Sequence, residues 1–458
     1  MASKAFLLHS LQEPFDVSSI ISKFDIFWKV KIFLLLFSLY LIFEGLFGIQ
    51  IGILNPIITV IWIGWWIVIV LFYLPFNAKN WCSICPIPAL GQIYNRYAPI
   101  QWLQSKKFNK KISLYGILPL LLFLLFSAVS VPVSTIPIIT GLVLLALFLI
   151  ATIIDIVYGE RIFCKEVCPI NPMLQTYNNI RSVSLQTVNF SICTTNHEKT
   201  CMIGDSNSYG CDWGFFPGKL KNNINNCTNC CDCIKACNYN NLSLVTKKTS
   251  LFPEEYENLS WIRSFLPLFF LSMVLLYSIT KIATIEQFHR IILINTIPDI
   301  VVALIMESIF TLIIIPSVFS LLIVLPLYKF VQRPDLKILL IKKSTFSSIP
   351  MSLAFWIVFT IYLIIPNINL LLFWLADPFL LNWNIFNLKN VSVYSSFLKE
   401  LFNYFSQIIM ILGYYFTLFY AYKLLETSET NLGKKYLIML GQFIFYSLIF
   451  IIISVVYL

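Results

Sequence analysis

Charge is scarce in this chain. Asp, Glu, Lys and Arg make up only 12% of its 458 residues, about half of the roughly 25% found in soluble domains, so an ordinary water-soluble composition is excluded. Histidine is rarer still. His9, His197 and His289 are the complete set, and none lies in a long apolar run, so no haem is expected: a haem carried between helices by histidine pairs has no ligands. No phosphate-cradling glycine loop, nucleophile elbow or catalytic triad motif is present, which removes nucleotide-driven transport, hydrolysis and group transfer. The first 27 residues hold no apolar core followed by a small-residue cleavage site. No removable signal peptide is expected, and the first span acts as its own insertion signal.

What the chain has instead is apolar length. Hydrophobic residues reach 58% and the mean hydropathy is +0.81. A membrane-crossing helix needs about 20 apolar residues, and nine runs approach that: 32–54, 57–76, 114–133, 136–156, 265–280, 300–328, 350–365, 401–422 and 437–457. Runs 265–280 and 350–365 are short and must tilt, bend at proline or extend into their flanks. The expected fold is an all-α polytopic membrane protein with about nine transmembrane helices.

Basic loops stay on the cytoplasmic side of a membrane. With nine spans, 28 of the 32 Lys and Arg residues fall on one side, and only Lys281, Arg290, Lys389 and Lys399 on the other. The net charge of +10 is thus explained by topology, and no nucleic acid is expected. The expected location is the plasma membrane, with the N-terminus and the cysteine-rich loops cytoplasmic.

All twelve cysteines lie in two of those basic loops. In a reducing compartment disulfides are disfavoured, so metal binding is the default. The first loop carries Cys82-Ser-Ile-Cys85-Pro86, the second Cys164-Lys-Glu-Val-Cys168-Pro169. Aligned on Cys-Pro, CPIPALGQIYN and CPINPMLQTYN share CPI, then Gln92 with Gln175, Tyr94 with Tyr177 and Asn95 with Asn178. Each follows a hairpin of two spans, so the chain is internally duplicated. Two duplicated loops bring four thiolates together, the ligand count of one [4Fe-4S] cluster. A structural zinc at the same thiols is the alternative.

Further along, Cys227, Cys230, Cys233 and Cys237 form the CxxCxxCxxxC run of bacterial ferredoxins, in which three thiolates serve one cluster and the fourth another. Cys193, Cys201 and Cys211 lie upstream in a looser pattern. With Cys237 they would make a further set of four, leaving 227, 230 and 233 one ligand short. Cys231 reads as a spare buried thiol, and His197 as a solvated loop histidine. Two or three [4Fe-4S] clusters are expected.

These motifs, two Cys-Pro loops after membrane hairpins and then a ferredoxin run, resemble the membrane polyferredoxin family, which includes the quinol-dehydrogenase subunit serving periplasmic nitrate reductase and the nitrous-oxide-reductase maturation regulators. The resemblance covers about residues 30–245. It departs in the two-residue spacing of the first Cys-Pro motif, in Asn238 where the family has proline, and in the irregular upstream cysteines. It implies Cys82, Cys85, Cys164 and Cys168 as the Cys-Pro loop ligands and Cys227, Cys230, Cys233 and Cys237 as the ferredoxin ligands. It also implies quinone or quinol and a redox protein as partners.

Carboxylates inside a bilayer are costly and tend to mark a pathway. Glu44 falls near the middle of the first run and Glu307 in the first third of the sixth; each is a candidate for proton handling at a quinone site, or a protonated packing residue. Asp155 closes the fourth run. The segment 370–381 reads as an interfacial patch.

The expected organisation is a cytoplasmic segment over 1–31, duplicated hairpins with Cys-Pro loops over 32–180, a ferredoxin-like domain in a cytoplasmic loop over 181–260 and a five-helix membrane domain over 261–458. The expected function is electron relay between the quinone pool and a redox partner. A maturation or regulatory factor for a metalloenzyme, or a zinc-stabilised binding module on a membrane anchor, are the alternatives.

Overall fold

The computed structural model describes residues 25–97, 108–109, 116–129, 134–195, 198–204, 208–217, 227–246, 260–280, 299–377, 381, 383–390, 396–426 and 432–457. His9, His197 and His289 lie outside them, as do Lys281 and Arg290.

Eight helices among the described residues are long and apolar enough to cross a membrane. They are α1 (Ile26–Phe47), α2 (Pro56–Tyr73), α6 (Pro137–Tyr158), α12 (Trp261–Thr280), α13 (Leu304–Phe330), the α14–α15 pair (Pro334–Phe346 and Ile349–Ala376), α16 (Ser396–Glu426) and α17 (Leu432–Tyr457). The third run appears as the shorter α5 (Leu118–Ala128), and residues 114–115 and 130–133 beside it are not described. The two short runs are lengthened from their flanks. Trp261–Thr280 keeps Pro267 inside it, and 350–365 is extended on both sides. Of segment 370–381, residues 370–376 complete α15 and Trp374 is buried.

Between the membrane helices lie short elements. The first Cys-Pro loop forms α3 (Trp81–Ile84) and α4 (Ala89–Tyr97), and the second forms α7 (Ile162–Glu166) and α8 (Asn171–Tyr177). The ferredoxin-like segment contributes β1 (Val183–Thr187), α9 (Phe190–Thr195), α10 (Thr200–Ile203), α11 (Asp232–Lys235) and β2 (Leu242–Thr246). β1 and β2 pair antiparallel, Val183 opposite Thr246 and Thr187 opposite Leu242. That pairing closes the cysteine-rich segment into a loop, with Leu185, Leu242 and Leu244 packed against Cys201, Cys231 and Cys233.

The chain divides into two compact units. One comprises Met1–Phe43, Tyr73–Pro119 and Leu142–Glu254 and holds all twelve cysteines. The other comprises Glu44–Phe72, Leu120–Gly141 and Glu255–Leu458. In this second unit Asn55 ends one helix and starts the next: its amide donates to the Glu44 and Ile49 carbonyls at 2.8 and 2.9 Å while its oxygen accepts the Ile57 N–H. Orphan carbonyls at a helix end otherwise face hydrocarbon unpaired. α1 therefore stops at Phe47, and Glu44 sits in its last turn rather than mid-span. Gly45 and Gly141 let α1 and α6 touch; a Cβ on Gly45 would lie 3.3 Å from the Gly141 Cα, the small-residue contact by which membrane helices approach. Trp356, fully buried, packs edge-on against Trp66 and Tyr277 with centroids 5.3 and 5.6 Å away.

Candidate metal centres

The two Cys-Pro loops build one site from two copies of the same local device. Proline after the cysteine has no N–H to offer, and the N–H of the following isoleucine turns back to the sulfur: Ile87 bonds Cys85, and Ile170 bonds Cys168. Cys85 lies beside Cys82 and Cys168, and Cys164 beside Cys168 and Cys82. The four thiols are thus gathered in one buried region. Burial pushes Cys85 up to about 12 and Cys168 to about 11, with neighbouring thiolates adding to the rise, and Cys164 is raised well above an ordinary thiol. Such a set ionises together only around positive charge, and a coordinated thiol gives up its proton outright.

The repeated asparagines hold the two loops across the duplication. Asn95 of the first loop donates to the Asp155 carbonyl at the end of α6, 2.8 Å away. Asn178 of the second accepts the Lys79 backbone N–H at 3.2 Å. Each copy is therefore clamped to the other. Gly91 allows this closeness, since a Cβ there would stand 2.8 Å from the Asp155 Cβ.

A second set forms in the ferredoxin-like segment. Cys233 lies near Cys230, Cys227, Cys211 and Cys231, and Cys227 also faces Cys211. Burial raises Cys211, Cys230 and Cys233 and takes Cys227 to about 11. Sequence spacing grouped Cys211 with Cys193 and Cys201. Gly204 (φ +88°) and Gly210 (φ +71°) adopt left-handed conformations open to glycine, and the chain folds back so that the Cys211 N–H meets the Met202 carbonyl at 3.0 Å, which sets Cys211 near Cys201 as well as near the triad. Cys231, 2% exposed and itself left-handed (φ +67°), has its sulfur 3.4 Å from the Asn229 carbonyl.

Buried cations stand between these sets. Arg161 is 3% exposed, donates to the Cys82 carbonyl at 2.8 Å and pairs with Asp212, next to Cys211, at 2.9 Å. It follows Gly159 and Glu160, and all three have positive φ, a costly backbone that persists only where surrounding contacts enforce it. Arg96 stacks on Trp28 and Tyr209, 3.8 and 4.3 Å from their centroids, and reaches Asp232 at 3.3 Å and Asp212 at 3.6 Å. Burial alone would raise Asp212, but Arg161 and Arg96 hold it below the ordinary carboxylate range. Lys79, fully buried, bonds Asn171 and lies over the Trp213 ring at 4.9 Å. Lys31 on α1 donates to Gln92 at 2.8 Å. A narrow cleft, with room for about one water, is lined by Trp28, Lys31, Arg96 and Arg161 and opens onto Ser83 and Cys230. Spacing patterns could not find these cations. The available signal was the position of Lys79 and Arg161, each three residues before the first cysteine of its loop, and of Lys31 inside an apolar helix; Arg96 carried none.

Residues 58–114 and 140–186 match the family model of a 4Fe-4S binding domain. The match and the eight long apolar helices fit a membrane iron-sulfur protein. Each matched stretch contains one cysteine pair of the first site, Cys82 with Cys85 and Cys164 with Cys168; the ferredoxin-like cysteines from 193 to 237 lie outside the match. No curated protein and no solved structure matches the chain.

The donor chemistry suits such clusters. Four thiols are gathered at each of two sites, backbone N–H groups point at the sulfurs, and buried cations offset the charge, three features that stabilise anionic clusters. Among the described residues no three His, Cys, Asp or Glu side chains converge on a single-ion position, whereas a zinc thiolate site gathers its sulfurs about 2.3 Å from one point.

Of the two carboxylates, Glu307 on α13 is 8% exposed and accepts the Ser127 hydroxyl at 2.8 Å; Ser127 also meets the Tyr277 hydroxyl. Glu44 is half-buried, with its carboxylate folded over Gly48.

Proposed function

We propose that the protein relays electrons between the quinone pool of the plasma membrane and a redox partner, with the N-terminus and cysteine-rich loops on the cytoplasmic side. The observation that carries this reading is the convergence of Cys82, Cys85, Cys164 and Cys168, each pair placed directly after an apolar hairpin. Bound there and at Cys211, Cys227, Cys230 and Cys233, iron-sulfur clusters supply one-electron transfer.

The remaining residues do the work of a relay. Arg161 joins the backbone of one site to the carboxylate beside the other and so fixes their separation. Lys79, Arg96 and Arg161 stabilise the extra negative charge of reduction. Quinol oxidation releases protons, and Glu307, hydrogen-bonded within a spanning helix, is the first candidate to take one; Glu44 is the second.

The test is quinol addition to anaerobic proteoliposomes containing the oxidised full chain. Bleaching of the cluster absorbance on quinol addition is the expected result. Clusters that dithionite reduces and no quinol does would exclude the quinone link.

A further inference from the structure

Lys31, Arg96, Arg161 and Lys235 line the narrow cleft at Cys230, and three of these four cations have carboxylate partners. Arg161 pairs with Asp212, Arg96 with Asp232 and Asp212, and Lys235 with Asp25. Lys31 makes no ion pair among the described residues. Its ammonium donates to the Gln92 side-chain oxygen at 2.8 Å and lies 5.5 Å from the Trp28 ring centroid, and the residue is 2% exposed. The charged side chains that act on it, Arg161, Arg96 and Asp212, sum to a further positive charge. Buried charges are kept where they are paired or sit beside a metal centre, and a neutral amide with an aromatic face supplies no counter-charge.

Thiols of both four-cysteine sets feel this charge. Lys31 acts on Cys85 of the Cys-Pro set and on Cys230 of the ferredoxin-like set, and the cleft that it lines opens onto Cys230. A thiolate-bound cluster is anionic and gains one more negative charge on one-electron reduction, so a fixed cation nearby favours the reduced form, the more so away from water. We propose that Lys31, held by Gln92, is shared by the two centres and raises both reduction potentials together, setting the poise of the whole relay against its electron donor. The inference rests on the reading of both sets as iron-sulfur sites and gives a role to a residue of α1, outside either cysteine loop.

The test is potentiometric titration of the anaerobically purified full chain with dithionite, followed by EPR, with one centre read at a time in Cys85→Ser and Cys230→Ser backgrounds. Within each background Lys31→Met should lower the potential of the remaining centre by about 59 mV, a tenfold change in its one-electron equilibrium. Lys31→Arg keeps the charge and should leave both potentials in place. Lys31→Gln keeps an N–H for Gln92 without the charge and should match Lys31→Met, which separates charge from packing. Retained iron and EPR amplitude show that a variant still folds and loads its clusters. A potential that does not move in one of the two backgrounds, or a shift as large in Lys31→Arg as in the neutral variants, would overturn the proposal. Absence of any reducible cluster from the wild type would instead refute the iron-sulfur reading itself, a result distinct from the others.

Discussion

Arg161→Met removes the charge that links the two four-thiol sites and keeps most of the aliphatic volume. It deletes a donor to the Cys82 carbonyl and leaves Asp212, whose side chain is 14% exposed, with Arg96 at 3.6 Å in place of Arg161 at 2.9 Å. Breaking a buried pair by removing one partner costs about 3–5 kcal/mol. Arg96 retains part of the compensation, so the low end, about 3 kcal/mol, is expected. At 1.4 kcal/mol per tenfold that raises the population of locally opened molecules about a hundredfold. The assay is the rate at which a ferrous chelator extracts iron from anaerobic protein, in the regime where opening limits extraction through its equilibrium. Arg161→Met should lose iron about a hundred times faster than wild type, and Arg161→Met with Asp212→Asn should recover most of the loss because no uncompensated carboxylate remains. A single variant as resistant as wild type, or a double variant no better than the single, would refute the reasoning.

Other substitutions separate the remaining parts. Cys85→Ser should lose the centre of the Cys-Pro loops, about four irons, and leave the EPR of a Cys230-ligated centre intact. Lys79→Met should lower the reduction potential of the Cys-Pro centre by on the order of 60 mV, a tenfold shift for one electron, since reduction adds negative charge beside a lost cation; potentiometric titration reads it, and an unchanged potential contradicts the role. Glu307→Gln keeps a Ser127 partner but cannot take up a proton, so quinol-driven reduction should slow by about tenfold or more with dithionite reduction unaltered. Gly91→Val forces a side chain into the 2.8 Å gap before Asp155 and should cost about 1–3 kcal/mol, seen as a lower melting temperature of the iron-loaded protein.

Apolar length made most of the membrane helices legible, because burial in lipid demands long uninterrupted runs. Their ends were less so: Asn55 stops α1 at Phe47 through tertiary bonds to Glu44 and Ile49, and no local pattern announces them. The meeting of the Cys-Pro loops was readable because the duplication repeats the ligands together with the asparagines that clamp them. The place of Cys211, near both Cys201 and the 227–233 triad, was not legible, because spacing along the chain says nothing of a turn made by two left-handed glycines. Arg161 and Lys79 escaped notice for a related reason: a basic residue in a loop between spans looks like topology, and only packing shows it buried near thiols.

The most direct test of the central claim is iron and acid-labile sulfide per chain in the anaerobically purified protein, measured together with zinc. Two cubanes predict about eight irons and about eight sulfides, with zinc negligible. Stoichiometric zinc with little sulfide, in protein that remains folded, would contradict the account.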